Sequence, residues 1–247
     1  MEIAKAKAFL KDFVGAEKIA NELRDGYFEA CTLGSIAREK ARDGILGARD
    51  EFQAIIRYAK GYREGWGRFD SRPFALLSIA KKQAKVDMDG AKATLKELIT
   101  FVNTLSHHQG SLIFSPEDKL TILALAGRRQ AEYQDMDGAK LTLEMIQEKL
   151  QIVKKHDSLL ATFAMLQAAC QDIDGSLKTV GLIRKPLEKE EALIYIALCK
   201  IKGNDLTGAI KMREEIRRIV DQEIHSKIFP LIRLSKLYFI TTPPTAH

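Results

Sequence analysis

A short turn-like string recurs along this chain of 247 residues, and it constrains the fold more than any other feature. In each of six copies a glycine is followed by alanine or serine, and in five of them an aspartate stands three residues before the glycine. The glycines are Gly15, Gly47, Gly90, Gly138, Gly175 and Gly208, at spacings of 32, 43, 48, 37 and 33 residues. Recurrence with a period of this size is typical of stacked helical repeats.

The residues after each glycine predict an amphipathic helix, called helix B. Seven residues after the alanine or serine stands a large aliphatic side chain in all six copies: Leu23, Ile55, Leu98, Ile146, Ile183 and Ile216. The position three residues earlier is apolar in five copies, the exception being Arg213. These positions form one face of a helix. We expect the aspartate to cap the helix, and we expect the glycine together with the alanine or serine after it to let another helix approach closely.

A second helix, called helix A, is predicted upstream of each turn. Segments such as Leu120–Ala126 and Ala192–Ala197 mix small and large apolar residues. Pro73, Pro116 and Pro186 stand at or just before the starts of three of these segments, where the missing N–H of proline costs nothing. The sequence therefore predicts an all-α fold made of helix pairs. Because one pair cannot bury both of its faces, consecutive pairs should stack.

At these turns the chain resembles the tetratricopeptide-repeat family. The string from Lys202 to Ile210 is similar to the turn between the two helices of that repeat, and Ala197, Ala209 and Ile216 match its small and apolar positions. The resemblance covers roughly residues 2–222. It implies a right-handed α-solenoid of about six antiparallel helix pairs. A looser α-solenoid of similar pairs is the alternative.

We predict one helical repeat domain over residues 1–240. Its units lie roughly at residues 1–25, 27–60, 72–106, 116–155, 157–184 and 186–222. Residues 223–240 should form a C-terminal capping helix, or alternatively a docking surface for self-association or a partner. Residues 241–247 contain two prolines and are expected to be a disordered tail.

The resemblance implies a non-catalytic protein–protein interaction module, an adaptor or scaffold that binds another protein or peptide along the concave surface lined by the A helices. Carrying the family's positions over gives the candidate contact residues Lys81, Lys85, Gln130, Met165, Leu198 and Lys202. Ordinary solvent-facing or packing roles are the alternative for each. Trp66, the only tryptophan, lies with Arg68 in a glycine-flanked loop, either as a partner anchor or as a plug between units.

Nucleic-acid binding is an alternative that we consider less favoured. The net charge is +6, but the basic residues are spread thinly along the chain and only 7% of residues are aromatic. Proteins that follow a phosphate backbone usually cluster lysine and arginine and interleave aromatic side chains. An RNA-binding helical repeat would need such clusters, and an enzyme with a site in the inserted loops is a third possibility.

No catalytic arrangement, cofactor or metal site is predicted. Cys31, Cys170 and Cys199 are far apart and sit in apolar helical segments, as buried free cysteines do. The Asp-Met-Asp-Gly strings resemble part of a calcium loop, but they lack its further ligands at the required spacing. His107 and His108 have no third ligand nearby. With no long apolar run and a charged N-terminal segment, we expect no membrane span and a cytoplasmic protein.

Overall fold

The computed structural model describes residues 1–62, 70–105, 115–151, 153 and 156–224. Within these residues it contains twelve α-helices and no strand. The helices are α1 (Glu2–Phe9), α2 (Phe13–Asn21), α3 (Gly26–Arg42), α4 (Ala48–Gly61), α5 (Arg72–Gln83), α6 (Met88–Thr104), α7 (Pro116–Glu132), α8 (Met136–Leu150), α9 (Asp157–Ala169), α10 (Ile173–Gly181), α11 (Pro186–Lys202) and α12 (Leu206–Ile224). The all-α prediction is confirmed, and odd and even helices alternate as helices A and B.

The chain divides into two compact units, Met1–Ala139 and Lys140–His247. In the first unit α3 packs against both α1 and α5, so three A helices lie side by side, and α2, α4 and α6 each contact the next A helix. In the second unit α9 packs against α10 and α11, and α11 packs against α12. Consecutive pairs therefore stack through their A helices within each unit. The single-domain prediction stays a prediction.

The predicted B-helix stripe lies in the core. The alanine or serine after each glycine is buried in all six copies, and Leu98, Ile146 and Ile216 are fully buried. Leu23 is partly buried, and Arg213, the one polar member of the stripe, is exposed. The predicted helix starts also agree, since α5, α7 and α11 each carry proline in the first turn. Ser115 and Asp118 form a reciprocal capping box at the start of α7.

Each turn aspartate caps helix B as predicted, and it also binds helix A. Its Oδ1 accepts a hydrogen bond of 2.8–3.2 Å from the backbone N–H of the glycine three residues later. Its Oδ2 accepts a second bond from the last turn of helix A. The donors are Lys7, Gln83, Gln130, Gln167 and Lys200. In the second copy Gly47 stands at the cap position instead, with φ of +80°.

The close approach that we expected at the glycine is made by side chains, since a Cβ at Gly90 or Gly138 would lie 2.3 or 2.5 Å from the amide nitrogen of Gln83 or Gln130 on helix A. A Cβ at Gly15, Gly90, Gly138, Gly175 or Gly208 would lie only 2.0–2.5 Å from the Oδ2 atom of the capping aspartate. The space that glycine leaves is therefore filled by the carboxylate, which reaches across the turn to helix A. The small residue after the glycine, such as Ala91 or Ser176, is fully buried, as expected for a close approach.

Five of the six turns contain a left-handed residue, which was not predicted from the sequence. Five of the six A helices end with a backbone N–H to C=O bond that spans five residues, for example from Asp172 to Gln167 at 2.9 Å. The residue inside this bond has positive φ: Lys11, Gly44, Gln134, Gln171 and Asn204. This is the Schellman ending of a helix. In α5 the bond runs from Asp87 to Gln83, one residue shorter.

Candidate functional site on the first three A helices

A group of like charges lies on α1, α3 and α5. Lys82 on α5 is partly buried, and the positive charges of Lys5 on α1, Arg38 on α3 and Lys81 on α5 act on it. We call these four residues the basic face. The packing of α3 against α1 and α5 brings them together from three different repeats.

The position of Lys82 follows from the packing of α5 on α3. A Cβ added at Gly34 in α3 would lie 3.5 Å from Cδ of Lys82, so the lysine stem runs over the backbone of α3. The Nζ atom of Lys82 donates a hydrogen bond of 2.6 Å to Oγ of Ser78 one turn earlier. The apolar stem is thus covered, as is usual for long basic side chains, while the ammonium group lies among other cations.

The charges of the basic face are only partly balanced. Lys5 pairs with Glu2 at 2.8 Å, and Arg38 pairs with Glu39, which also binds Arg42 at 3.0 Å. Within the part of the chain that the structure describes, Lys81 and Lys82 have no ion pair. Positive charge therefore exceeds negative charge here, and this excess is concentrated at the end of α5.

The electrostatics of Lys82 reflect this environment. Burial lowers the pKa of its ammonium group, and repulsion from Lys5, Arg38 and Lys81 lowers it further, against an opposing contribution from Cys31. Burial and like charges both disfavour the charged form of a lysine. An anion bound beside Lys82 would reverse this effect.

The structure places the predicted contact residues differently. Lys81, Lys85 and Lys202 are exposed, and Leu198 is partly buried. Gln130 and Met165 are buried at 2% and 8% exposure. They are therefore corrected from surface to interior positions, since Gln130 holds Asp135 and Met165 packs in the core of the second unit. Trp66 and Arg68 lie outside the described residues, as do His107 and His108.

Lys5, Arg38 and Lys82 were missed by sequence reasoning, although the repeat contains a signal for two of them. Lys5 and Arg38 stand two residues before Lys7 and Lys40, as Lys81 stands two residues before Gln83. The side chains of Lys7 and Gln83 bind their turn aspartates. The carbonyl oxygen of Lys40 accepts the backbone hydrogen bond that closes the end of α3, as the carbonyl oxygens of Lys7 and Gln83 do in their helices. The same position holds Arg128 in α7, where it pairs with Glu132 at 3.6 Å. A basic residue thus recurs at one repeat position in four consecutive A helices.

The second unit carries an open depression of about 630 Å³ next to the start of α9. His156, Asp157, Arg184 and Lys185 are among the residues that line it. The Asp157 carboxylate accepts hydrogen bonds from the backbone N–H groups of Arg184 and Lys185, at 3.2 and 3.1 Å. This aspartate therefore ties the connection before α11 to α9.

Three further properties concern the described residues alone. No group of three or more histidine, cysteine, aspartate or glutamate side chains is placed there to hold a metal ion. None of the described helices combines the length and the apolar character needed to cross a membrane. Cys31 and Cys170 are buried, as predicted, whereas Cys199 is only partly buried, and burial raises the pKa of the Cys170 thiol to about 11.

Comparison with known proteins gives little further information. No family model matches the chain, and no curated protein matches it. Among solved structures, the chain is similar to Ton1535 from Thermococcus onnurineus NA1, known from a crystal structure. The two share 15% sequence identity with a TM-score of 0.33, over 90% of this chain and 76% of that protein. A similarity at this level supports no conclusion about the fold or the function of this chain.

Proposed function

We propose that the protein is a non-catalytic binding module that holds a segment of a partner protein along its A helices. The basic face carries this proposal: the charges of Lys5, Arg38 and Lys81, from three A helices that pack side by side, act on Lys82, and Lys81 and Lys82 lack an ion pair among the described residues. Charged groups held together in this way are a common property of binding sites. We place this function in the cytoplasm, as an adaptor or scaffold.

The arrangement of the helices supports the same proposal. A helices that lie side by side present a continuous surface to which consecutive repeats contribute equivalent side chains, as helical repeat proteins do. We further propose that the pairs continue as a right-handed α-solenoid of the tetratricopeptide type. Self-association through residues 223–240 stays a prediction, because most of that segment lies outside the described residues.

The proposal is tested by reversing charge at two exposed lysines of α5 and the turn after it. The protein with Lys81→Glu and Lys85→Glu is compared with wild type in affinity capture from extracts of its own source, with captured proteins quantified by mass spectrometry. The matched control carries Arg57→Glu and Lys96→Glu, which make the same charge change at exposed positions of B helices α4 and α6.

We expect at least one specifically captured protein to be lost from the Lys81/Lys85 variant and retained by the control. That protein, purified, should bind wild type directly and bind the Lys81/Lys85 variant about tenfold more weakly. Equal capture by all three proteins would contradict the proposed surface, and so would a loss confined to the control.

A further inference from the structure

We propose that the basic face recognises an acidic segment of the partner, an extended peptide rich in aspartate and glutamate, with one carboxylate bound at Lys82. Lys81 then binds a neighbouring carboxylate of the same segment, and Lys5 and Arg38 add their partly balanced positive charge to the attraction. This inference rests on the proposed function and adds the chemistry of the ligand.

The state of Lys82 in the free protein is the first argument. The partly buried ammonium group of Lys82 lies within the field of three other cations, and it donates a hydrogen bond to a neutral hydroxyl, Oγ of Ser78. Like charges repel each other more strongly where burial lowers the effective dielectric constant. A carboxylate supplies the missing counter-charge, so that its binding is favoured by the same repulsion that destabilises the free protein.

The geometry of the face fits an extended peptide. The helices α1, α3 and α5 pack side by side, and packed helices stand about 8–10 Å apart. A path across three helices is therefore about 20 Å long, which an extended chain covers with about six residues at about 3.3 Å each. Side chains alternate along such a chain, so every second residue can face the lysines.

The acidic residues on the same face favour a peptide over a nucleic acid. Glu2 and Glu39 neutralise part of the charge of Lys5 and Arg38, so that the positive surface is interrupted instead of continuous. A nucleic acid backbone carries one charge at every nucleotide and needs an uninterrupted track of cations. A peptide can place its carboxylates only where the cations are unpaired, at Lys81 and Lys82.

The test measures the binding of fluorescein-labelled oligoglutamate of about ten residues, long enough to cross the three helices. Oligoglutamine and a single-stranded RNA of equal length serve as comparison ligands. The variants are Lys82→Met, which keeps the stem and removes the charge, Lys82→Arg, which keeps the charge, and Lys96→Met as the matched control on α6. Fluorescence anisotropy gives the affinities at low and at physiological salt.

We expect oligoglutamate to bind and oligoglutamine not to bind. Lys82→Met should weaken oligoglutamate binding about tenfold or more, as the loss of one partner of a desolvated charge pair does. Lys96→Met should change it less than about twofold. Lys82→Arg should retain most of the affinity, which also covers the case in which the methionine variant fails to fold. In thermal melts Lys82→Met should unfold at or above the wild-type temperature, because it removes an unfavourably placed charge.

The inference is overturned if oligoglutamate does not bind, if it binds Lys82→Met and wild type equally, or if the RNA binds more tightly with the same dependence on Lys82. Failure of the proposed function is recognised separately. If partner capture depends on Lys81 and Lys85 while oligoglutamate does not bind, the binding surface stands and its preference for acidic segments is wrong. If oligoglutamate binds through Lys82 and no captured protein depends on the face, the chemistry of the site stands and the proposed partner-binding function is wrong.

Discussion

The side-chain amide of Gln167, near the end of α9, donates a hydrogen bond of 3.1 Å to Oδ2 of Asp172, the residue that caps α10. The carbonyl oxygen of the same amide accepts a bond of 2.6 Å from the hydroxyl of Thr179 on α10. One buried glutamine therefore joins the end of helix A to both the cap and the body of helix B. Gln83 makes the same two bonds, to Asp87 and from Thr94.

Replacing Gln167 by methionine should destabilise the protein by about 1–3 kcal/mol. Methionine fills a similar volume but leaves Oδ2 of Asp172 without its donor in a site where Gln167 itself is only 5% exposed. Chemical denaturation of the wild type, Gln167→Met, Thr179→Val and the double variant measures the effect. Because the two residues share a bond, the double variant should lose less than the sum of the single losses. Additive losses would show that the bond contributes nothing.

A pair of glycine-to-alanine substitutions should have opposite effects. At Gly34, inside α3, the new Cβ would meet Ile79 and Lys82 at 3.5 Å, which is ordinary contact, so the gain in helix propensity should stabilise the protein by up to about 1 kcal/mol. At Gly90 the Cβ would lie 2.0 Å from Oδ2 of Asp87 and should displace the cap. Thermal melts of Gly34→Ala and Gly90→Ala measure both. A stabilised Gly90→Ala would contradict the role assigned to the turn carboxylate.

The helix pairs could be predicted from the sequence because their signal is local. Large aliphatic residues at a fixed distance from the glycine, such as Ile146 and Ile216, identify the buried face of a B helix. This identification does not require the positions of the neighbouring helices. The buried glutamines could not be found in this way. Gln130 was assigned to the surface by carrying over the positions of the repeat that the chain resembles, and a polar residue in a helix is usually exposed. Its burial depends on a carboxylate across the turn, which the pattern of a single helix does not report.

The basic face was only partly predictable for a related reason. Lys81 was found, but the turn after α5 is one residue shorter than the others, so counting back from the glycine shifts the register between repeats. Counting from the residue that binds the turn aspartate aligns Lys81 with Lys5. The partial burial of Lys82 depends on Gly34 of the preceding A helix. Such contacts between repeats cannot be predicted from the sequence of a single repeat, because they form only when the helix pairs stack.

Glycine at the left-handed turn positions should stabilise the protein. Gln134 and Gln171 have φ of 63° and 70°, a conformation that costs a residue with a Cβ about 1 kcal/mol or more. Gln134→Gly and Gln171→Gly should therefore each raise the melting temperature. Ala84→Gly is the matched control, because Ala84 ends α5 with φ of −57° and gains nothing from glycine. A loss of stability in all three variants would show that the turns do not relieve strain in this way.

The titration of Asp205 tests the two-sided binding of a turn aspartate in a single measurement. The side chain of Lys200 lowers the pKa of this carboxyl from its ordinary value of 3.8, and the backbone N–H of Gly208 lowers it further. Because the folded-state pKa is depressed, the carboxylate contributes stability above pH 3.8 and the contribution is lost as the pH falls through the folded-state pKa.

Lys200→Met should raise the pKa of Asp205 without restoring 3.8, since the Gly208 bond of 2.8 Å remains. Carbon-detected NMR of the carboxyl group follows the titration, with Lys202→Met as a control that removes an exposed neighbouring cation. Two results would contradict the assigned geometry: an unchanged pKa in Lys200→Met, or an equal rise in Lys202→Met.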